Sequence, residues 1–189
     1  MNYKIVLASN SPRRRELLAG LGLDYEVRTL QGLDESYPEG LSMEEIPQYI
    51  SRKKAAAYTL QSDELLITAD TIVYLEGEVL GKPADETEAK EMLRKLSGKT
   101  HQVVTGVTLS TTEMLHSFAC VSQVTFAQLS EAEIDHYVTH YHPLDKAGAY
   151  GIQEWIGYIG VTSLEGSYFN VMGLPVQRLY SEMKKLNLI

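Results

Sequence analysis

A mixed α/β fold, one sheet flanked by helices, is predicted by three observations. Short apolar runs alternate along the chain with stretches of helical period. Hairpin signals interrupt that alternation, so the sheet is not purely parallel. Two long β-rich runs, HQVVTGVTLS and SFACVSQVTFAQL, follow one another closely and are expected to be neighbours in that sheet.

The elements follow in order. KIVLA, residues 4–8, reads as a buried strand. Ser11 and Pro12 then supply an N-cap and a first helical position, and Leu17, Leu18 and Leu21 share a face of a helix over 12–21 that Gly20 and Gly22 end. Tyr25 to Thr29 reads as a second strand, and QGLDESYPEGLS as a polar loop. Ser42 with Glu45 three residues on forms a capping box, opening a helix to Leu60. LLITA is an apolar strand interrupted at Asp70, and TIVYL turns through Glu76-Gly77 into EVL, a hairpin. Thr87 to Leu96 is a short amphipathic helix, and Ser130 with Glu133 opens another to about His140. DKAGAYGIQEWIGYIG is semi-regular, GSYFNVMGLP reads as a loop, and PVQRLYSEMKKL closes as a helix.

The 189 residues suit a single domain, 1–189, with room for two lobes. Apolar residues at 44% and charged residues at 22% are ordinary globular values. A formal net charge of −8 argues against a nucleic-acid polymer as partner, which needs a broad basic face. It leaves room for a small anion held by a local basic cluster. The single Cys120 excludes an internal disulfide and a cysteine-rich zinc site, fits a reducing compartment, and reads as a buried small hydrophobe. No apolar run approaches membrane-spanning length, and the short apolar start followed by arginines has the wrong order for a signal peptide. A cytoplasmic location is expected.

Arg13, Arg14 and Arg15 stand at a helix N-terminus, where the macrodipole disfavours cations. One reading is a solvated charge face. The other is an anion site: a strand-to-helix turn has free N–H groups, and arginines that oppose the dipole become co-ligands for phosphate oxygens. Arg14, three and four residues before Leu17 and Leu18, shares their inward face; Arg15 reads as a surface charge. Asp70, between two apolar runs, either caps a turn or does chemistry as a metal ligand or proton acceptor. Lys82, fixed between Gly81 and Pro83, is placed to neutralise phosphate charge, and Asp34 and Glu35 offer a further metal ligand from their loop. SGKT, residues 97–100, lacks the leading Gly of a P-loop and leads from helix to strand, so a helix-ending turn suffices. His136, His140 and His142 lack the glutamate of the zinc-protease pattern and read as solvated or capping residues.

Six segments in fixed order, SNSPRRRELL, KKAAAY, TADTIV, LGKP, DKAGAYGIQ and GSYFNVMGLP, span Ala8 to about Pro175. Together they resemble the Maf family of nucleoside triphosphate pyrophosphatases. The resemblance implies a Maf/Ham1-like (ITPase-like) elongated mixed sheet with two lobes around a central cleft. It also implies hydrolysis of a nucleoside triphosphate to monophosphate and pyrophosphate, a divalent metal cation such as Mg²⁺ or Mn²⁺, and a homodimer. Carried onto this chain, it makes Asp70 the proton acceptor and a metal ligand, with Asp34 or Glu35 assisting. Ser9, Arg14, Lys54 and Lys82 hold the phosphates; Lys54 rather than the adjacent Lys53 follows from register with Ala55 and Ala57. Arg13, Thr71 and Gln153 fall where the family sets base choice. TADT with Gln153 looks like the branch acting on dTTP and UTP, whereas the 7-methyl-GTP branch often has Gln after the aspartate. A Gln amide complements the imide edge of thymine or uracil and mismatches cytosine. His142 stands where the family often has an acidic residue. A nucleotide-binding regulator of cell division with little turnover is the alternative reading.

Overall fold

The computed structural model describes residues 3–189. Its strands are β1 (Lys4–Leu7), β2 (Tyr25–Val27), β3 (Glu64–Leu75), β4 (Glu78–Leu80), β5 (Thr100–Ser110), β6 (Leu115–Phe126) and β7 (Val161–Glu165). The helices are α1 (Pro12–Ala19), α2 (Glu45–Ala56), α3 (Glu86–Leu96), α4 (Glu131–Tyr141), α5 (Trp155–Gly160), α6 (Tyr168–Met172) and α7 (Val176–Lys185). The sheet order is β2-β1-β3-β5-β6-β7, with β4 paired to β3. β1 runs parallel to β2 and β3, whereas β3–β4 and β6–β7 are antiparallel, so the mixed α/β expectation holds.

The chain divides into two compact units, and the division falls inside β3, between Asp70 and Thr71. The first unit comprises Met1–Asp70, Thr105–Cys120 and Gly173–Ile189. Its β1–α1–β2 passage is a parallel crossover, in which Leu17 and Leu18 are the buried face of α1. Helix α2 is anchored by buried hydroxyls. Thr68 of β3 donates to the Ser51 carbonyl at 2.8 Å, the Ser51 and Thr108 hydroxyls share a 2.7 Å bond, and Thr108 continues to Ser117 at 2.9 Å. Where α2 crosses β5, a Cβ on Gly106 would lie 2.3 Å from the helix backbone at Pro47 and Gln48, so only glycine permits the approach.

The second unit comprises Thr71–Val104 and Val121–Met172. Ala89, Met92, Leu93 and Leu96 give α3 an apolar stripe, which packs with Leu80, Val103, Phe126, Ile134, Tyr137 and Ile156. Both capping expectations near α4 are met: the Ser130 and Glu133 box is complete, and His142 is a left-handed C-cap at φ 46° whose Nδ1 lies 3.4 Å from Glu86. Among the described residues no helix is long and apolar enough to cross a membrane.

Four expectations change. Asp70 does not interrupt a strand: β3 runs continuously from Glu64 to Leu75, because Asp70 finds side-chain partners without leaving the ladder. α2 stops at Ala56 instead of Leu60, since Tyr58 is pinned by donating to the Arg28 carbonyl and accepting from the Leu30 N–H. GSYFNVMGLP is not all loop. Ser167 accepts from the Asn170 N–H at 3.2 Å and starts α6. β7 occupies 161–165, between the two stretches read above and outside any expected element, and β6 supplies its partner through Val124–Leu164 and Thr125–Ser163. Cys120, expected to be buried, is only partly buried on β6, and that burial pushes its thiol up.

His101 lies fully buried on β5 beneath Phe126 and Tyr150. Its Nε2 shares a 2.6 Å bond with the Tyr150 hydroxyl, and its Nδ1 meets no partner among the described residues. Burial lowers its pKa from 6.5 to about 4, so the native protein holds it neutral. The unfolded chain takes up this proton below about pH 6.5. Stability from this site is therefore complete above that pH and lost as pH falls toward about 4, with about 2 kcal/mol gone by pH 5. Glu64, held down to about 2 by the Arg28 guanidinium, adds its own loss only below the ordinary glutamate range. Denaturant unfolding at pH 7 and 5 should show the slope, and His101→Gln should flatten it; an equal slope in the variant contradicts the assignment.

Candidate active site

In the first unit the turn from β1 into α1 is built by three side chains. Ser11 caps α1 by accepting from the Arg14 N–H at 3.4 Å. The Ser9 hydroxyl accepts from the Ser11 N–H at 3.2 Å, which leaves its own proton to donate. Arg15 donates from Nε and Nη2 to the Ser9 carbonyl, both at 3.2 Å. The expectation that Arg15 is a surface charge is thus replaced: it clamps the turn, and Tyr25 in turn donates to the Arg15 carbonyl at 2.8 Å.

Arg14 turns inward, as its register predicts. Its Nε donates to the Gly173 carbonyl at 2.7 Å and its Nη1 to the Ala69 carbonyl at 3.0 Å. The guanidinium thus grips the residue preceding Asp70 and the GLP segment at once. Burial pushes it down from its usual value, and the Asp70 charge opposes that shift. Arg13 lies close enough to add to its positive surroundings.

Lys53 and Lys54 occupy the last turn of α2, where cations suit the helix dipole. Successive helical residues point roughly 100° apart, so the two ammonium groups find different carboxylates. Lys54 Nζ lies 2.8 Å from Asp70 Oδ1 and 2.8 Å from Glu35 Oε1. Lys53 donates to Asp34 at 2.5 Å and to Ser36 at 3.0 and 3.1 Å. Asp34 therefore does not join the Asp70 cluster, as its part in the expected metal set required; the Lys53 ammonium and Ser36 hold its carboxyl down to about 2. Of the two loop acids, Glu35 faces Asp70. Thr68 and Asp70, two apart on β3, meet Ser51 and Lys54, three apart on α2. The hydroxyl ladder under α2 thus sets the height of Lys54, a role no motif announced; its only signal was a threonine inside an apolar strand and another in β5.

The donor set fits a hard divalent cation. Two carboxylates that both reach one ammonium nitrogen can both reach one Mg²⁺ or Mn²⁺, with waters and substrate oxygens completing the shell. Among the described residues no three His, Cys, Asp or Glu side chains converge on a metal position. The His136 and His140 rings lie 4.3 Å apart, tilted by 31°, with His136 edge-on to Trp155; both side chains are exposed, and His140 Nδ1 lies 2.8 Å from the His136 carbonyl.

The second unit carries Thr71, Lys82 and Gln153. The Gly81 carbonyl accepts from the Gly148 N–H at 3.0 Å, so the turn bearing Lys82 is tied to DKAGAYGIQ. Lys82 itself is exposed. Gln153 is partly buried, and its amide Oε1 is buried without a hydrogen-bond partner among the described residues. A buried amide with unused capacity is costly unless something supplies the bond.

The model of the family described as Maf-like proteins matches residues 4–186. The chain belongs to the Maf family. Curated relatives agree along its length. A protein of Phocaeicola vulgatus named dTTP/UTP pyrophosphatase is 66% identical over 97% of this chain and 96% of its own. One of the same name from Bacteroides thetaiotaomicron is 64% identical with the same coverage. Another from Porphyromonas gingivalis is 56% identical over 96% of this Maf chain and 94% of its own. The Ham1 protein of Staphylococcus aureus shares the fold, with TM-score 0.50 at 20% identity, over 95% of this chain and 99% of that one.

Proposed function

We propose that the chain hydrolyses dTTP and UTP to the nucleoside monophosphate and pyrophosphate. The observation that carries this reading is its 66% identity, over nearly the whole length, to a protein named dTTP/UTP pyrophosphatase. The geometry supplies matching parts. Asp70 is the proton acceptor for the attacking water, placed mid-strand and flanked by cations. Ser9, Arg14, Lys54 and Lys82 carry the phosphate charge. Ser9 does so with its unspent hydroxyl proton. Arg14 has two donors committed to backbone carbonyls, so it acts as much by fixing the Asp70 strand as by touching phosphate. Arg13, Thr71 and Gln153 set base choice, and the Gln153 amide, whose Oε1 has no partner among the described residues, suits the imide edge of a pyrimidine.

A divalent cation, Mg²⁺ or Mn²⁺, is held by Asp70 and Glu35; Asp34, occupied by Lys53, stays outside the set. When bound, the cation neutralises phosphate charge and acidifies water. Lys54 lies between the same two carboxylates and is shared out again when phosphate arrives. A homodimer in the cytoplasm, folded as one Maf-like domain, completes the reading.

The test is a nucleotide panel with Mg²⁺ or Mn²⁺, products separated by chromatography. Monophosphate and pyrophosphate, with UTP and dTTP favoured over CTP and purines, are expected. Diphosphate and inorganic phosphate overturn the reaction. Tight binding without turnover makes the chain a nucleotide-binding regulator instead.

A further inference from the structure

The segment that carries Gln153 is held by a buried polar knot. Tyr137 of α4 is fully buried, yet its hydroxyl is used twice: it accepts from the Gly151 N–H at 3.0 Å and donates to Glu154 Oε2. Burial and the Glu154 carboxylate both keep the phenol proton in place. The other Glu154 oxygen lies 3.2 Å from Lys146 Nζ, which donates also to Asp145 at 2.8 Å. Lys146 is only 8% exposed, so its charge rests on these two carboxylates. Gly151 makes room for the convergence. A Cβ there would meet Lys146 Cε at 3.0 Å, Glu154 Cδ at 3.1 Å and Gln153 Nε2 at 3.2 Å. The Gln153 amide therefore shares the space beside Gly151 with the Lys146 and Glu154 side chains, and Gln153 lies in the chain between residues 151 and 154 that Tyr137 bridges.

We infer that Tyr137, together with Lys146 and Glu154, positions Gln153 for choosing the base of the nucleotide. The inference rests on the reading of Gln153 given above and adds residues that touch no substrate. An amide discriminates imide from cytosine only if it cannot swing to satisfy either edge. The bridge ties the Gly151 backbone to the Glu154 side chain, the Glu154 N–H donates to the Gly151 carbonyl at 3.0 Å, and Lys146 holds the other Glu154 oxygen, so the segment on both sides of Gln153 is anchored. Discrimination is thus bought by an interior hydroxyl on a different element, α4.

Tyr137→Phe removes one oxygen and keeps the ring in the core. The measurement is kcat/KM on UTP and on CTP for the wild type, Tyr137→Phe, Gln153→Ala and the double variant. Tyr137→Phe should lower the UTP-to-CTP ratio about tenfold, the worth of one hydrogen bond lost at a reading edge, mainly through KM for UTP. Gln153→Ala should lower it as much or more, and the double variant no further than Gln153→Ala alone. A merely structural tyrosine would lower both nucleotides together and leave the ratio intact. Glu154→Gln, which keeps an acceptor but drops the charge facing Lys146, is the second variant should Tyr137→Phe fold poorly, and the same fall in ratio is expected. If Gln153→Ala moves the ratio while Tyr137→Phe and Glu154→Gln do not, positioning is overturned and the Gln153 reading stands. An unmoved ratio in Gln153→Ala overturns both.

Discussion

Asp70→Asn should lower pyrophosphate release from UTP by about 10²- to 10⁴-fold, the usual worth of a positioned general base, while UTP still binds. The substitution keeps the size and shape of the side chain and removes its basicity and its charge, so the assay is run at saturating Mg²⁺. Asn has the shape of Asp, and its amide oxygen can still accept from Lys54 Nζ, which keeps Glu35 as a charged partner at 2.8 Å. The strand is not disturbed either, since Arg14 holds the Ala69 carbonyl and not the Asp70 side chain. The fold should therefore survive, and calorimetric binding of UTP to the variant separates loss of chemistry from loss of the site. Turnover within tenfold of wild type would remove Asp70 from the role of proton acceptor. Loss of binding in parallel with turnover would recast it as a structural ion-pair member.

Much of this site is readable in the chain, and the unreadable parts have physical causes. Ser11-Pro12 announces a helix start because capping is local, and Arg14 faces inward because helical register alone puts it with Leu17 and Leu18. Arg15 is misread because its partner, the Ser9 carbonyl, is a backbone atom, and sequence patterns of side chains carry no signal for it. Lys53 and Lys54 cannot be told apart by composition. What separates them is the helix twist and which carboxylate of a flexible-looking loop lies under each. Asp70 looks like a strand breaker because an unpaired carboxylate would be one; the strand persists because a lysine sixteen residues earlier is brought to it. β7 is lost to pattern because a short antiparallel edge strand takes its stability from β6, far earlier in the chain.

Lys54→Met should move two measurements in opposite directions. Methionine fills a similar volume without charge, so Asp70 and Glu35 are left facing one another with their shared cation gone. Turnover of UTP should fall by about 10²- to 10³-fold, as when one preorganised donor to developing charge is removed. The nucleotide-free protein should bind Mn²⁺ at least about tenfold more tightly, read by the free-ion signal in electron paramagnetic resonance, because the metal no longer displaces an ammonium from the same two oxygens. Lys53→Met supplies the contrast. Its partner Asp34 is an exposed loop acid, and exposed pairs are worth little, so turnover and Mn²⁺ affinity should both stay within about twofold. Unchanged or weaker Mn²⁺ binding in Lys54→Met would mean that Asp70 and Glu35 do not form a cation site. Lys54 would then be a fixed partner of both carboxylates and not a group that yields its place.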